Sequence, residues 1–226
     1  MDRADRYPVF LLFAFVIWWT ALAIHPSYRQ DWLLENLLIF IFVPWLALSY
    51  RRLRFSNAAY TCLFVFFALH AVGAHYTYSE VPYERWFSSA TGIGLDEWSS
   101  ATRNHYDRAI HFLYGLLIAL PAYELIQRRA APRGWWVFFL TWTFILSHSV
   151  IYETVEWAAA MVFGGPLGTA YLGTQGDEWD AQKDMALASL GAAMTLATLM
   201  LRGSPSYKTS AFASDADKFR NWSGHG

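Results

Sequence analysis

The chain has 226 residues, of which 55% are hydrophobic, 19% aromatic and only 15% charged, and its net charge is −1. Soluble domains carry about 25% charged residues, so this composition excludes a disordered chain, a disulfide scaffold and an ordinary soluble enzyme. The near-neutral balance gives no global reason to expect nucleic acid, and the single Cys62, inside an apolar run, allows neither an intrachain disulfide nor a paired-cysteine metal site.

A helix that crosses a hydrocarbon core of about 30 Å needs roughly 20 mostly apolar residues. Six stretches qualify, over residues 7–24, 32–50, 57–78, 105–125, 134–160 and 184–201. The first reads as a span rather than a signal peptide: no small-residue cleavage site follows it, and Trp18-Trp19 form an interfacial anchor. The fifth is long enough to tilt or to project from the bilayer. The expected fold is therefore all-α, a bundle of six transmembrane helices over residues 1–202, with a polar, mobile cytoplasmic tail over 203–226. No internal repeat is visible, so an inverted-repeat transporter gains no support.

Lys and Arg set the orientation. Twelve of the 17 lie before span 1, between spans 2 and 3, between spans 4 and 5, or after span 6. That places both termini in the cytoplasm. The opposite side holds most of the acids and two long segments, 79–104 and 161–183. Long loops in compact domains are often functional. The second holds the Gly-rich stretch GGPLGTAYLGTQGD, which lacks the spacing of a phosphate-binding loop and reads best as a flexible connection between spans 5 and 6.

Ionisable groups inside a bilayer are costly and tend to mark function. Here four spans bring them to one depth, the external half. Span 3 ends with His70 and His75, span 4 begins with His105, Asp107 and His111, span 5 ends with His148, Glu153 and Glu156, and span 6 follows Asp177, Asp180 and Asp184. Glu124, 17 residues after Asp107, belongs to the opposite end. Asp107 and His111 are one turn apart on a single face, as are Glu153 and Glu156. If helical, the three aspartates also share a face, and three anions on one stripe repel unless a cation or proton lies among them. Asp177 reads equally as the N-cap of helix 6. Imidazole mixed with several carboxylates suits a divalent transition metal such as Zn, Mn or Fe. The expected ligands are His70, His111, His148, Glu153, Glu156, Asp180 and Asp184; Asp107 orients His111 or ligates directly, and Glu153 can act as a general base. An ion-paired structural cluster without metal is the competing reading.

The motifs YDRAIHFLYGLL, HSVIYETVEW and GTQGDEWDAQKDM resemble the YjdF family of uncharacterised bacterial inner-membrane proteins, over residues 32–201. The resemblance implies a multi-pass protein of the bacterial inner membrane and supplies neither reaction nor ligand set. By analogy alone, Asp107 and His111 are similar to the Asp-x-x-x-His of the intramembrane zinc amidases that include ceramidases and adiponectin receptors. That group's further His pair is not found here. The residues point first to a metal-dependent, hydrolase-like membrane enzyme acting on a lipid or lipid-linked substrate at the outer leaflet. The alternatives are a proton- or cation-coupled transporter or channel, and a structural or assembly protein.

Overall fold

The computed structural model describes residues 3–93, 103–165, 168 and 172–203, and all of the regular structure among them is helical. The elements are α1 Arg3–Leu22, α2 Arg29–Glu35, α3 Leu37–Leu53, α4 Asn57–Tyr76, a 3-10 turn Tyr78–Glu80, α5 Tyr83–Thr91, α6 Tyr106–Arg129, α7 Trp136–Phe163 and α8 Asp180–Leu201. The tail expected beyond residue 203 lies outside the described residues.

Five segments are long and apolar enough to cross a membrane: Asp5–Leu22, Arg29–Leu53, Asn57–Tyr76, Tyr106–Arg129 and Asp180–Leu201. Helix α7 is the longest, at 28 residues, but is not among them. His148, Tyr152, Glu153, Glu156 and its several Trp residues lower its hydropathy. Outward faces are apolar: Phe13 is 65% exposed and Leu48 86% exposed. Side chains of that size left uncovered suit lipid rather than water.

Local chemistry sets the helix ends. Ser56 caps α4 by accepting the Ala59 N–H at 3.1 Å. Helix α3 stops at Arg54, whose left-handed backbone (φ 35°) sends its N–H back to the Tyr50 carbonyl. The expected second span is broken at Asn36. This buried side chain donates to the Trp32 carbonyl (2.7 Å) and accepts the Trp19 indole N–H (2.6 Å). The break separates α2 from α3 and lets α2 carry two buried acids, Asp31 and Glu35.

Helix α6 is the centre of the bundle, packed against α4, α7 and, most extensively, α8. The α6–α8 approach is set by glycine. A Cβ at Gly115 would fall 1.9 Å from the Ala188 carbonyl oxygen, and one at Gly191 would fall 2.2 Å from that of Phe112. Small residues at such a crossing are the common device of helices packing in lipid. A cluster with Phe15, Ile39, Phe66, Phe67 and Ile110 joins α1, α3 and α4 to α6. Toward the basic end the interior of α6, α7 and α8 is apolar, through Ala119, Ala122, Ile145 and Ala192, then Tyr123, Val137, Phe138 and Leu196. At that end Arg128 donates to the Leu53 and Arg54 carbonyls and to Glu124, whose carboxylate accepts the Ser56 N–H at 2.8 Å. Glu124 thus ties α4 to α6 far from the acidic end.

Candidate metal centre

The acidic end of the bundle converges on one imidazole. Asp107 and His111 stand one turn apart on α6, and His111 Nε2 lies 3.5 Å from Asp107 Oδ1. From α7, Glu153 Oε1 lies 3.4 Å from the same nitrogen. From α8, Asp184 completes a group in which Asp107, His111 and Asp184 each offer a ligand atom within 4.8 Å of the others. His111 is 8% exposed and Asp184 only 2%. Asp184 Oδ1 and Glu153 Oε1 are buried without a hydrogen-bond partner, although a buried polar atom ordinarily has one.

The distances themselves have a chemical meaning. Separations of 3.4–3.5 Å are long for a charge-assisted hydrogen bond. Two donor atoms about 2.1 Å from a tetrahedral ion, by contrast, lie about 3.4 Å apart.

A second layer comes from α2 and α7. Tyr152 packs edge-on to His111, with centroids 5.7 Å apart, and donates its O–H to Glu35 Oε2 at 3.1 Å. Glu156, one turn beyond Tyr152 and 8% exposed, faces the same centre and feels the charges of Asp107, Glu35 and Glu153. One turn before Glu35, Asp31 is wholly buried; its Oδ2 accepts the Thr77 hydroxyl at 2.5 Å. Thr77 holds a left-handed φ of 64°, a strained backbone for a β-branched residue, at the end of α4.

The remaining residues singled out in the sequence lie elsewhere. His70 is buried with both ring nitrogens engaged: Nε2–H donates to the Glu35 carbonyl at 3.0 Å, so Nδ1 accepts the Tyr78 hydroxyl. His148 stacks on Phe144, with Nδ1 against that residue's carbonyl at 2.9 Å. Asp180 meets arginine, with Arg103 at 2.5 Å and Arg108 at 3.3 Å. Asp177 precedes α8, receives the Trp179 N–H on Oδ1 (3.1 Å), and pairs with Arg108 and with Lys183 (2.6 Å). The Lys183 ammonium above all, with the Trp179 N–H and Arg108, holds the Asp177 carboxyl down at about 2. The aspartate stripe is therefore divided. Its first two members are neutralised by Arg103, Arg108 and Lys183, and only Asp184 turns into the centre.

Sequence reasoning passed over Glu35 and Asp31, because at the edge of a hydrophobic span an acid reads as an interfacial residue. The available signal was their i,i+4 spacing beside Trp32, the same spacing that singled out Asp107 and His111. Residues on either side of the centre meet over it. Arg103 donates to the Thr174 carbonyl, and Asn104 and Gln175 exchange reciprocal bonds of 2.8 and 3.0 Å. Gly173 passes close above Asp107.

The family described as Predicted membrane protein (DUF2238) matches residues 7–204. The Inner membrane protein YjdF of Escherichia coli (strain K12) is 36% identical over 187 residues, covering 82% of this chain and 84% of that protein. No solved structure matches. A match of that extent means that the chain belongs to the DUF2238 family of membrane proteins.

Proposed function

We propose that this protein is a metal-dependent enzyme of the bacterial inner membrane, hydrolase-like, acting on a lipid or lipid-linked substrate at the outer leaflet. In this reading α7 is a sixth span and both termini are cytoplasmic. The observation that carries the proposal is the set of ligand-to-ligand spacings around His111 Nε2, together with the unpartnered buried oxygens of Asp184 and Glu153. Asp107, His111 and Asp184 would hold a divalent transition metal of the Zn, Mn or Fe type. Such an ion supplies Lewis acidity and lowers the pKa of bound water. Glu153 is placed to take a proton there, being 3.4 Å from His111 Nε2 and unpartnered at Oε1. Tyr152 restrains the imidazole ring from its edge. The inner-membrane assignment follows the relative's name, and the outer-leaflet assignment follows from the Lys and Arg distribution.

An ion-coupled transporter needs a polar route to the other side. The layers below the centre are built from Ala119, Ala122, Ile145 and Ala192, and Glu124 is committed to Ser56 and Arg128. That interior favours catalysis at one face.

Metal analysis of protein purified without chelators tests the site. Wild type should carry stoichiometric metal, and Asp184→Asn should lose most of it. Asp180→Asn and Glu124→Gln should keep it, because those carboxylates are bound to arginine. A metal-free wild type, or equal loss in all three variants, would overturn the proposal. Incubation with extracted membrane lipids, read by mass spectrometry, should show cleavage by wild type that Asp184→Asn lacks.

A further inference from the structure

The end of the bundle opposite the carboxylate centre is fastened by arginine. Helix α3 stops at Leu53, and the last carbonyls of a helix have no partner within it. From α6, Arg128 Nη1 donates to the Leu53 carbonyl at 2.6 Å and to that of Arg54, and Arg129 Nη2 donates to the Arg52 carbonyl at 3.0 Å. These bonds hold both guanidinium groups in place and leave each with further N–H groups to give. Between the two helix ends lies a cavity of about 190 Å³, lined by Arg52, Leu53, Leu125, Arg128 and Arg129. At about 30 Å³ for each water molecule, it has room for a phosphate group.

The charge of this cavity is unbalanced. Among the described residues, the carboxylate that pairs with its arginines is Glu124, which lies 3.1 Å from Arg128 Nη2 and also accepts the Ser56 N–H. Arg52 and Arg129 have no carboxylate partner among the described residues. Guanidinium forks match the paired oxygens of a phosphate.

The surface that leads to the cavity is apolar. Ile41, Trp45, Leu48 and Arg52 follow one another at offsets of 4, 3 and 4 residues, so they share one face of α3. On that face Ile41 is 63% exposed, Trp45 45% and Leu48 86%. An uncovered apolar stripe that ends at a cationic cavity matches the two-part chemistry of an amphiphile with an anionic head. A free phosphate would use the arginines alone.

We infer that the cavity between the ends of α3 and α6 binds the phosphate of an anionic phospholipid from the leaflet at that end, with Arg52 and Arg129 on its oxygens and an acyl chain along Ile41, Trp45 and Leu48. Basic pockets between transmembrane helices take such head groups. The site lies at the far end of α6 from His111 and stands whether or not the centre holds a metal.

Native mass spectrometry of the full-length, delipidated protein in detergent, titrated with phosphatidylglycerol or phosphatidylcholine, tests it. Wild type should bind one phosphatidylglycerol in clear preference to phosphatidylcholine. Arg52→Gln and Arg129→Gln should each weaken that binding about tenfold, as loss of a hydrogen bond to a charged group does. Arg51→Gln removes the same charge outside the cavity and should change it by less than about twofold, as a screened surface charge does. No preference between the lipids, or an equal loss in Arg51→Gln, would reduce the effect to diffuse attraction and overturn the site. Excess glycerol phosphate, a head without chains, should fail to displace the lipid; displacement would assign the cavity to a free anion and overturn the lipid reading. Arg129 also fastens the end of α3, so if Arg129→Gln does not elute as folded protein on size exclusion, Arg52→Gln decides alone.

Discussion

Three aspartates within eight residues, Asp177, Asp180 and Asp184, meet three environments. Asp177 lies at the rim beside Lys183, Asp180 lies in an arginine pair, and Asp184 is buried without a partner for Oδ1. Asp177 carries a consequence for acid stability. Its folded pKa of about 2 is below its unfolded value, so its stabilising contribution is complete above about pH 4 and is lost as pH falls toward 2. Thermal unfolding across that window should show wild type losing stability, and Asp177→Asn, weaker at neutral pH, should show a flatter acid limb. At this scale the i,i+4 pair of Asp107 and His111 was readable from spacing alone. The partners of Asp180 were not, because Arg103 and Arg108 reach it from a segment more than 70 residues away. The role of His70 was hidden likewise, since the Tyr78 hydroxyl that occupies Nδ1 comes from a 3-10 turn with no hydropathy signature.

Between elements, the contact that aligns the centre is the α6–α8 crossing. Gly115 is one turn beyond His111 on α6, and Gly191 is two turns beyond Asp184 on α8. Each backbone sits against the other with no room for a methyl group. Gly115→Ala should therefore push the helices apart, lowering stability by about 1–3 kcal/mol as overpacked sites do. It should also weaken metal retention although no ligand is changed. A thermal melt in detergent paired with metal analysis reads both effects, and an unchanged Tm would contradict the crossing. Hydropathy made the spans legible because twenty apolar residues have few other uses. It merged α2 with α3, since the break depends on hydrogen bonds at Asn36 that a sliding average cannot register. On α7, Tyr152, Glu153 and Glu156 line the centre while Val150, Val155 and Trp157 point outward, a division by face that an average over the helix does not register.

Taken as a whole, the molecule is electrically polarised along its long axis. Arg51, Arg52, Arg54, Arg128, Arg129 and Arg133 gather at one end, and the carboxylate centre lies at the other. Under the six-span arrangement, alkaline phosphatase fused after Gly203 should be inactive and a fluorescent protein fused there should be bright. The opposite pattern would invert the orientation.

The glycine crossing also fixes an order of events during synthesis. Helix α6 completes its main interface only with α8, the last described helix to leave the ribosome. Until then α6 and α7 present Asp107, His111, Glu153 and Glu156 without their partner helix. The final helix thus acts as a folding checkpoint. Chains truncated before Asp180 should be retained at the insertion machinery and cleared by membrane proteases, whereas chains ending just after Leu201 should persist. Pulse-chase measurement of the two lengths distinguishes a bundle inserted helix by helix from one whose last three helices are committed together.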